Sequence, residues 1–176
     1  MKVKVLEEHG YNSAALGFSL SYNTAIERAK EVMPKYAFGI PGENKFLEMI
    51  MTWWDISAPR YYWQEADTYR SGTTKQSEST IHTLKKKPLS QENFEENIPI
   101  FMVDFINTLI EEGAQLVQIK NVLPEGFIQR RIWMFSYKTL QNIFIQRKNH
   151  KLPQWHIFLD SVLSQIEHPE FIVKED

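Results

Sequence analysis

The chain opens with alternating hydrophobic and polar residues. Val3 and Val5 alternate with Lys2 and Lys4, and Gly10 follows this run. A period of two residues is typical of a strand with one buried and one solvated face. We therefore expect a first strand that ends before Gly10.

Helical periodicity marks the longest segments of the chain. Hydrophobic residues recur every three or four positions in residues 21–35, in residues 90–113, in residues 137–148 and in a last segment that starts near Pro153. Asn23 or Thr24 is a suitable N-cap for the first of these helices, and Pro34 would end it. Pro99 either kinks the second helix or marks its true start.

The stretch before residue 80 predicts a strand, a short helix and a loop. Residues 46–56 fit a helix at their beginning and a strand at their end, and Gly39, Pro41 and Gly42 before them predict a turn. Pro59 suits the first turn of a helix that carries Tyr62 and Trp63 at helical spacing. Residues 71–79 are rich in Ser, Thr and Gly and predict a loop.

Two shorter segments follow the second helix. Residues 116–122 fit either a strand or a helix. Residues 127–135 place apolar side chains at both odd and even positions. That pattern predicts a strand that is covered on both faces. Together with the helices, these strands predict an α/β fold.

Composition and charge narrow the class of protein. The 176 residues have the length of one domain, so we expect residues 1–176 to form a single domain. The formal net charge of -2 lacks the basic excess that binding to duplex nucleic acid requires. The sequence has no cysteine and no apolar run of membrane-spanning length. We therefore expect a cytoplasmic protein that has no disulfide and does not bind a membrane.

Familiar motifs for catalysis and metal binding are absent from the sequence. It contains no GxGxxG, P-loop or GxSxG pattern, and its five histidines lack the spacing of metal ligands. No metal site is expected. Ser77 or Ser79 beside His82 could form a nucleophile and a base, but a hydrogen-bonded loop explains the same residues.

Polar residues that suit an anionic ligand gather in two segments. The first contains Gln64, Asp67, Arg70, Lys75, Gln76, Ser77 and Ser79. In the second, Lys138 and Asn142 are four residues apart and share a helix face, while Arg147 is displaced from it. Arginine, lysine, asparagine and hydroxyl groups are the donors that a nucleotide needs.

An alternative explains the first segment without a ligand. Asp67, Arg70, Lys75 and Glu78 could form a surface cluster of ion pairs at a helix end. Charged residues are common there, and exposed pairs contribute only about 0 to 1 kcal/mol.

The order of these residues resembles the flavin-dependent thymidylate synthases, from about Gly42 to about Pro169. The best segment is LPEGFIQRRIWMFSYKTLQNIFIQRKNHKLPQW. It is similar to the family pattern of Leu-Pro, a strand, Asn-x-Arg-Ser-Leu-x-Asn-Phe, Arg, His and Ala-Gln-Trp. GENKFLEMIMTWWDISAPRYYWQ is similar to the earlier strand of the family and the Arg-Gln that follows it.

The resemblance implies a fold, ligands and an assembly. The fold would be an antiparallel sheet flanked by helices, assembled as a homotetramer with sites between subunits. Each site would bind FAD and dUMP, and a methylene group would pass from methylenetetrahydrofolate to the uracil ring. That reaction uses no cysteine nucleophile, so a chain without cysteine could carry it out.

The resemblance also implies roles for single residues. Ser77 and Arg147 would be catalytic. Lys138, Asn142 and His150 would contact the flavin. The nucleotide would be bound by Ser77 and Arg147. The polar residues of the first segment add Gln64, Arg70, Lys75 and Ser79 to the predicted nucleotide-binding residues.

The departures from the family pattern favour a second hypothesis. Asp67, Thr68 and Tyr69 stand where the family has Arg-His-Arg, and Ser79 stands where its last Arg would be. Two cations are lost, and an aspartate near a phosphate is repulsive. The alternative is a non-catalytic oligomeric nucleotide-binding or interaction protein that keeps the fold without flavin chemistry.

Overall fold

Four strands form one antiparallel sheet in the computed structural model, which describes residues 1–40 and 42–174. The strands are β1 (Lys2–His9), β2 (Met51–Pro59), β3 (Thr73–Ser77) and β4 (Ile128–Ser136). Their order across the sheet is β1-β2-β4-β3, so β2 and β4 are central. Met51 pairs with Ser136, and Thr73 pairs with Phe135.

Helices surround this sheet. They are α1 (Tyr11–Tyr22), α2 (Ile26–Tyr36), α3 (Arg60–Ala66), α4 (Thr80–Thr83), α5 (Ile100–Glu111), α6 (Leu116–Val122), α7 (Tyr137–Arg147) and α8 (Pro153–Leu163). Short 3-10 turns lie at Lys45–Glu48, Gln91–Asn93 and Pro169–Phe171. The predicted class, an antiparallel sheet flanked by helices, is confirmed. No helix within the described ranges has the length and hydrophobicity of a membrane span.

One face of the sheet belongs to the main core. Trp54 and Ile56 of β2 and Trp133 and Phe135 of β4 are fully buried. Every second side chain of these two strands points into the core, as the two-residue period of a strand requires. The strand predicted for residues 127–135 is confirmed, but only one of its faces is fully covered, because Ile132 on the other face is partly exposed.

The outer edge of β1 is covered by a side chain. The Val5 N–H donates to Gln165 Oε1 at 3.0 Å, and Gln165 Nε2 donates to the Val3 carbonyl at 3.2 Å. Gln165 follows α8 in the chain. Its amide makes two of the hydrogen bonds that a neighbouring strand would make with β1.

A second, smaller core lies under α5 and α6. Its buried members include Val103, Ile106, Ile119, Leu123 and Phe127. The opposite side of α5 is apolar and exposed, with Phe101 69% and Phe105 52% accessible. The single-domain prediction for residues 1–176 stays a prediction, and its last two residues lie outside the described ranges.

Two predicted elements need correction, one open alternative is decided, and one predicted turn is not fully described. Residues 71–79 contain strand β3, because Thr73 to Ser77 pair with β4. The first predicted helix corresponds to α2, which begins at Ile26 after its N-cap, Ala25, and contains Pro34 in its last turn. The ambiguous segment 116–122 is helix α6. Pro41, part of the predicted turn, lies outside the described residues.

The long helix predicted for residues 90–113 is shorter than expected. It begins after its N-cap, Pro99, which therefore marks the true start. Ser90 instead caps a separate 3-10 turn, in which Ser90 and Asn93 bond to each other's backbone. Of the predicted apolar stripe, Phe94 is buried, whereas Phe105 is exposed.

Candidate functional site

A cleft of about 580 Å³ lies between the segment that follows α3 and one face of α7. We call it the α7 cleft. It is lined by Thr68, Tyr69, Arg70, Ser71, Lys138, Thr139, Gln141, Asn142, Ile145 and Gln146. Its volume is within the range of about 300 to 1,000 Å³ that is common for small-molecule sites.

Hydrogen bonds to backbone carbonyls hold the two walls of the α7 cleft together. The Ser136 N–H donates to the Gly72 carbonyl at 3.0 Å, and Thr139 Oγ1 donates to the Ser71 carbonyl at 2.8 Å. Gly72 has a φ of 64°, in the left-handed region that glycine adopts without strain. The segment with Arg70 is therefore fixed against the start of α7.

The α7 cleft presents hydrogen-bond donors and positive charge. Arg70 and Lys138 line it, and none of the described residues that line it is acidic. Asn142 Oδ1 accepts from Gln146 Nε2 at 3.0 Å, so in this amide orientation the Asn142 NH₂ group is left to donate elsewhere. A ligand with negative charge and acceptor oxygens matches this lining.

Tyr69 joins the cleft to a neighbouring polar cluster. Its hydroxyl donates to Gln146 Oε1 at 3.0 Å and accepts from Arg147 Nε at 2.9 Å. Gln146 in turn bonds Asn142. A continuous chain of hydrogen bonds therefore runs from Arg147 to the wall of the cleft.

Glu65 is the centre of that cluster. Its Oε2 accepts from Arg147 Nη1 at 3.0 Å and from Trp155 Nε1 at 2.8 Å, and it lies 3.4 Å from His150 Nε2. The Arg147 guanidinium also lies over the Trp155 ring, 4.8 Å from its centre. We call these four residues the Glu65 cluster.

A second acidic residue binds two more cations. Arg131 Nη1 donates to both carboxylate oxygens of Asp67, at 2.9 and 3.0 Å. Lys75 Nζ lies 3.7 Å from Asp67 and 4.6 Å from the centre of the Trp133 ring. Burial lowers the pKa of the Lys75 ammonium, although Asp67 partly opposes this effect.

This arrangement matches part of the ion-pair alternative. Asp67 and Lys75 do form a pair, but Arg70 lines the cleft instead. Glu78 accepts from the Arg130 backbone N–H at 3.1 Å. The negative charge at Asp67, which would repel a phosphate, is thus neutralised by Arg131 and Lys75.

The structure brings together only some of the predicted site residues. Arg70, Lys138 and Asn142 share the α7 cleft. Arg147 and His150 lie in the Glu65 cluster on the far side of Tyr69.

The other predicted site residues lie away from the cleft. Gln64 donates to Glu125 at 2.9 Å, and Lys75 pairs with Asp67. Ser77 ends β3 opposite Arg131, and Ser79 caps α4. The roles of all these residues stay predictions.

Sequence reasoning missed several members of the site. Gln146 follows Asn142 by four residues, so helical spacing alone could have placed it on the same face. Tyr69 was noticed only as a departure from a family pattern. Glu65 carried no signal, because its partners Arg147 and Trp155 are more than 80 residues away.

Across the ranges that the structure describes, no three His, Asp or Glu residues are grouped as metal ligands.

Comparison with known proteins finds similar structures but no similar sequences, since no family model and no curated protein matches. Flavin-dependent thymidylate synthase ThyX from Helicobacter pylori, complexed with FAD and dUMP, matches with a TM-score of 0.82 at 16% identity over 98% of each chain. Another structure of ThyX from Helicobacter pylori with FAD and dUMP has a TM-score of 0.82 at 17% identity, over 98% of this chain and 97% of that one. The chain has the ThyX fold.

The ThyX likeness confirms the fold that the sequence resemblance implied. It covers nearly the whole chain, including the sheet and the helices that form the α7 cleft. At this level of identity it establishes the architecture, and function must be argued from the residues in the site. Those residues place the cations Arg70 and Lys138 and the amide of Asn142 in one cleft of the ThyX fold.

Proposed function

We propose that this chain is a divergent ThyX-like protein that binds a pyrimidine deoxynucleotide, such as dUMP, in the α7 cleft. The observation that carries the proposal is the lining of the cleft, which has Arg70 and Lys138 but no acidic residue among those described. Both ThyX structures that match the chain contain dUMP. Arg70 and Lys138 would bind the phosphate, and Asn142 would donate to a carbonyl oxygen.

FAD is the proposed cofactor of a catalytically active form. In that form Lys138 and Asn142, which line the α7 cleft and fit a phosphate group and a ring carbonyl, would hold the flavin instead of the nucleotide, and Arg70 would bind the nucleotide phosphate. When bound, flavin supplies the hydride that reduces the methylene group donated by methylenetetrahydrofolate. The chain's own residues would orient the nucleotide and neutralise its phosphate. His150 faces Glu65 instead of the cleft, so its proposed flavin contact has less support.

The second candidate function is nucleotide binding without flavin chemistry. It is favoured by Asp67 and Tyr69, which stand in two positions where the flavin-dependent family has cations. Asp67 is occupied by Arg131 and Lys75, and the buried Tyr69 is bonded to Arg147 and Gln146. At the positions where the family has ligand-binding cations, this chain therefore has side chains that bond to other residues of the same chain.

Calorimetric titration with dUMP tests the proposed site. Arg70→Ala or Lys138→Ala should each weaken binding by about 1.5 to 3 kcal/mol, roughly 10- to 150-fold in Kd, because each removes a charged donor to the phosphate. Lys148→Ala is the matched control, since Lys148 is exposed just after α7 and does not line the cleft. Equal affinity in all four proteins would place the nucleotide elsewhere.

A visible spectrum separates the two candidate functions. The purified protein, with FAD added and the excess removed, should absorb visible light if flavin binds. A colourless protein that still binds dUMP would be the non-catalytic form. A colourless protein that does not bind dUMP would contradict both candidates.

Assembly and location complete the proposal. A homo-oligomer is supported by the exposed apolar side of α5, because large exposed apolar patches commonly mark interaction surfaces. A homotetramer is the form that the family resemblance implies. A cytoplasmic location stays a prediction from the sequence.

A further inference from the structure

Three donors converge on one carboxylate oxygen in the Glu65 cluster. They are Arg147 Nη1, Trp155 Nε1 and the nearby His150 Nε2. His150 Nδ1 accepts from the Leu152 N–H at 3.2 Å, so in a neutral imidazole the proton is on Nε2 and points to Glu65. A guanidinium, an indole N–H and an imidazole N–H form a donor set for an anion oxygen.

The donors are held in place independently of Glu65. Trp155 is fully buried, and the Arg147 side chain is only 17% exposed. Arg147 also bonds the Tyr69 hydroxyl and lies over the Trp155 ring. Because these contacts do not involve the carboxylate, Arg147 and Trp155 would keep their positions if Glu65 moved away.

Glu65 itself is held less firmly than its partners. Its side chain is 32% exposed, and it is next to last in the seven-residue helix α3. Within the part of the chain that the structure describes, its Oε1 accepts no hydrogen bond. A rotation about its side-chain bonds would carry the carboxylate into solvent and leave the three donors facing an empty position.

We propose that Glu65 is a built-in competitor for an anion site formed by Arg147, His150 and Trp155. In the closed form the Glu65 carboxylate occupies the site. In the open form a phosphate group replaces it. The inference deepens the proposed function and rests on it. It explains why Arg147, which is predicted to bind the nucleotide, is bonded to Glu65 in this structure.

Tyr69 connects the anion site to the α7 cleft. Arg147 donates to the Tyr69 hydroxyl, which donates to Gln146, which donates to Asn142. Replacing the Glu65 carboxylate by a phosphate leaves this chain intact, since none of its bonds involves Glu65. The anion site and the cleft can therefore be occupied together.

The experiment measures the binding of inorganic phosphate to a protein that carries both Arg70→Ala and Lys138→Ala. This double variant is the starting protein because it lacks the two cations of the cleft, which could also bind phosphate. Adding Glu65→Ala should raise the affinity for phosphate at least tenfold, measured by calorimetry and by the shift in Tm. Adding Arg147→Ala as well should abolish the gain. No gain with Glu65→Ala, or a gain that survives Arg147→Ala, would overturn the proposal.

Two further measurements keep the result interpretable. If Glu65→Ala does not fold, Glu65→Gln replaces it: the neutral amide still accepts from Trp155, and a gain in affinity of several-fold is expected. No gain with Glu65→Gln would again overturn the proposal. Titration of the unsubstituted chain with dUMP separately tests the proposed function, so the two ideas can fail independently.

Discussion

Single residues decide which cations are available to a ligand. Glu65 binds Arg147, and Asp67 binds Arg131 and Lys75. Arg70 and Lys138 line a cleft without an acidic neighbour in its described lining. The chain therefore offers positive charge at the cleft, whereas its own carboxylates neutralise Arg147, Arg131 and Lys75 nearby.

The ion pair between Asp55 and Arg130 allows the contribution of such pairs to stability to be measured. Arg130 Nε and Nη2 donate to the two carboxylate oxygens of Asp55, at 2.7 and 2.6 Å. These hydrogen bonds lower the pKa of Asp55 below its ordinary value of 3.8, although burial opposes them. The stabilisation is therefore fully present above about pH 4 and is lost as the pH falls through the lowered pKa.

We expect Asp55→Asn to reduce the free energy of unfolding by about 0.5 to 1 kcal/mol near neutral pH, because Arg130 is mostly exposed and the pair is screened by solvent. Urea unfolding at neutral pH and at about pH 2 measures the difference, which should shrink at the lower pH. Asp160→Asn on α8 is the control, since Asp160 belongs to no ion pair of the described residues. A pH-independent difference would contradict the assignment.

Part of the site could be predicted at this scale. Lys138 and Asn142 are four residues apart on one helix, and local spacing correctly places them on one face of the cleft. The contacts of Arg147 and His150 could not be predicted, because they depend on Glu65, which is distant in sequence. Long-range pairs of this kind are set by the packing of α3 against α7 and α8.

At the level of elements, the junction between β3 and α7 shapes the cleft. Gly72 has a positive φ, and a Cβ there would lie 2.7 Å from Thr139 Oγ1 and 3.0 Å from Ser136 Oγ. Both neighbours belong to the start of α7, where Ser136 is the N-cap. The close approach depends on the absence of a side chain at Gly72.

We expect Gly72→Ala to lower the free energy of unfolding by about 1 to 3 kcal/mol, because alanine is strained in this conformation and the walls of the cleft must separate. It should also weaken dUMP binding. Gly126→Ala is the control, since a Cβ at Gly126 meets nothing within 4 Å. Equal stability of the two variants in urea would show that the junction tolerates a side chain.

Periodic elements were the most predictable. Helices α7 and α8 carry continuous apolar stripes, and β1 and β4 also lie where the pattern placed them. Strand β3 was mistaken for a loop because five polar residues carry no apolar alternation, and only pairing with β4 makes them a strand. Helix α1 was not predicted: Ala14 and Phe18 are buried, but Leu16 and Leu20 are exposed, so no single apolar face marks it.

At the scale of the whole molecule, the exposed side of α5 predicts association. Phe101 and Phe105 border an apolar groove that also contains Met102, Ile106 and Val122. Burying such side chains between subunits stabilises an assembly by roughly 1.5 to 3 kcal/mol for each large side chain. This surface is distinct from the residues that line the α7 cleft.

We expect light scattering to give a mass that is a multiple of the 20.8 kDa chain. Phe101→Ser combined with Phe105→Ser should lower the mass without unfolding the protein, because both side chains are already exposed. Circular dichroism checks that the variant remains folded. A monomeric mass for the unsubstituted chain would contradict the prediction.

The amide of Gln165 also limits how the protein can aggregate. A sheet extends into a fibril by adding strands at both edges, and proteins avoid this by blocking their edges. At β1 part of the place of an added strand is taken by Gln165, which bonds the Val3 carbonyl and the Val5 N–H. An added strand would therefore have to displace this side chain at β1, whereas at the other edge of the sheet it would meet the five-residue strand β3. Edge-to-edge pairing is thus disfavoured at one of the two edges that a growing fibril needs.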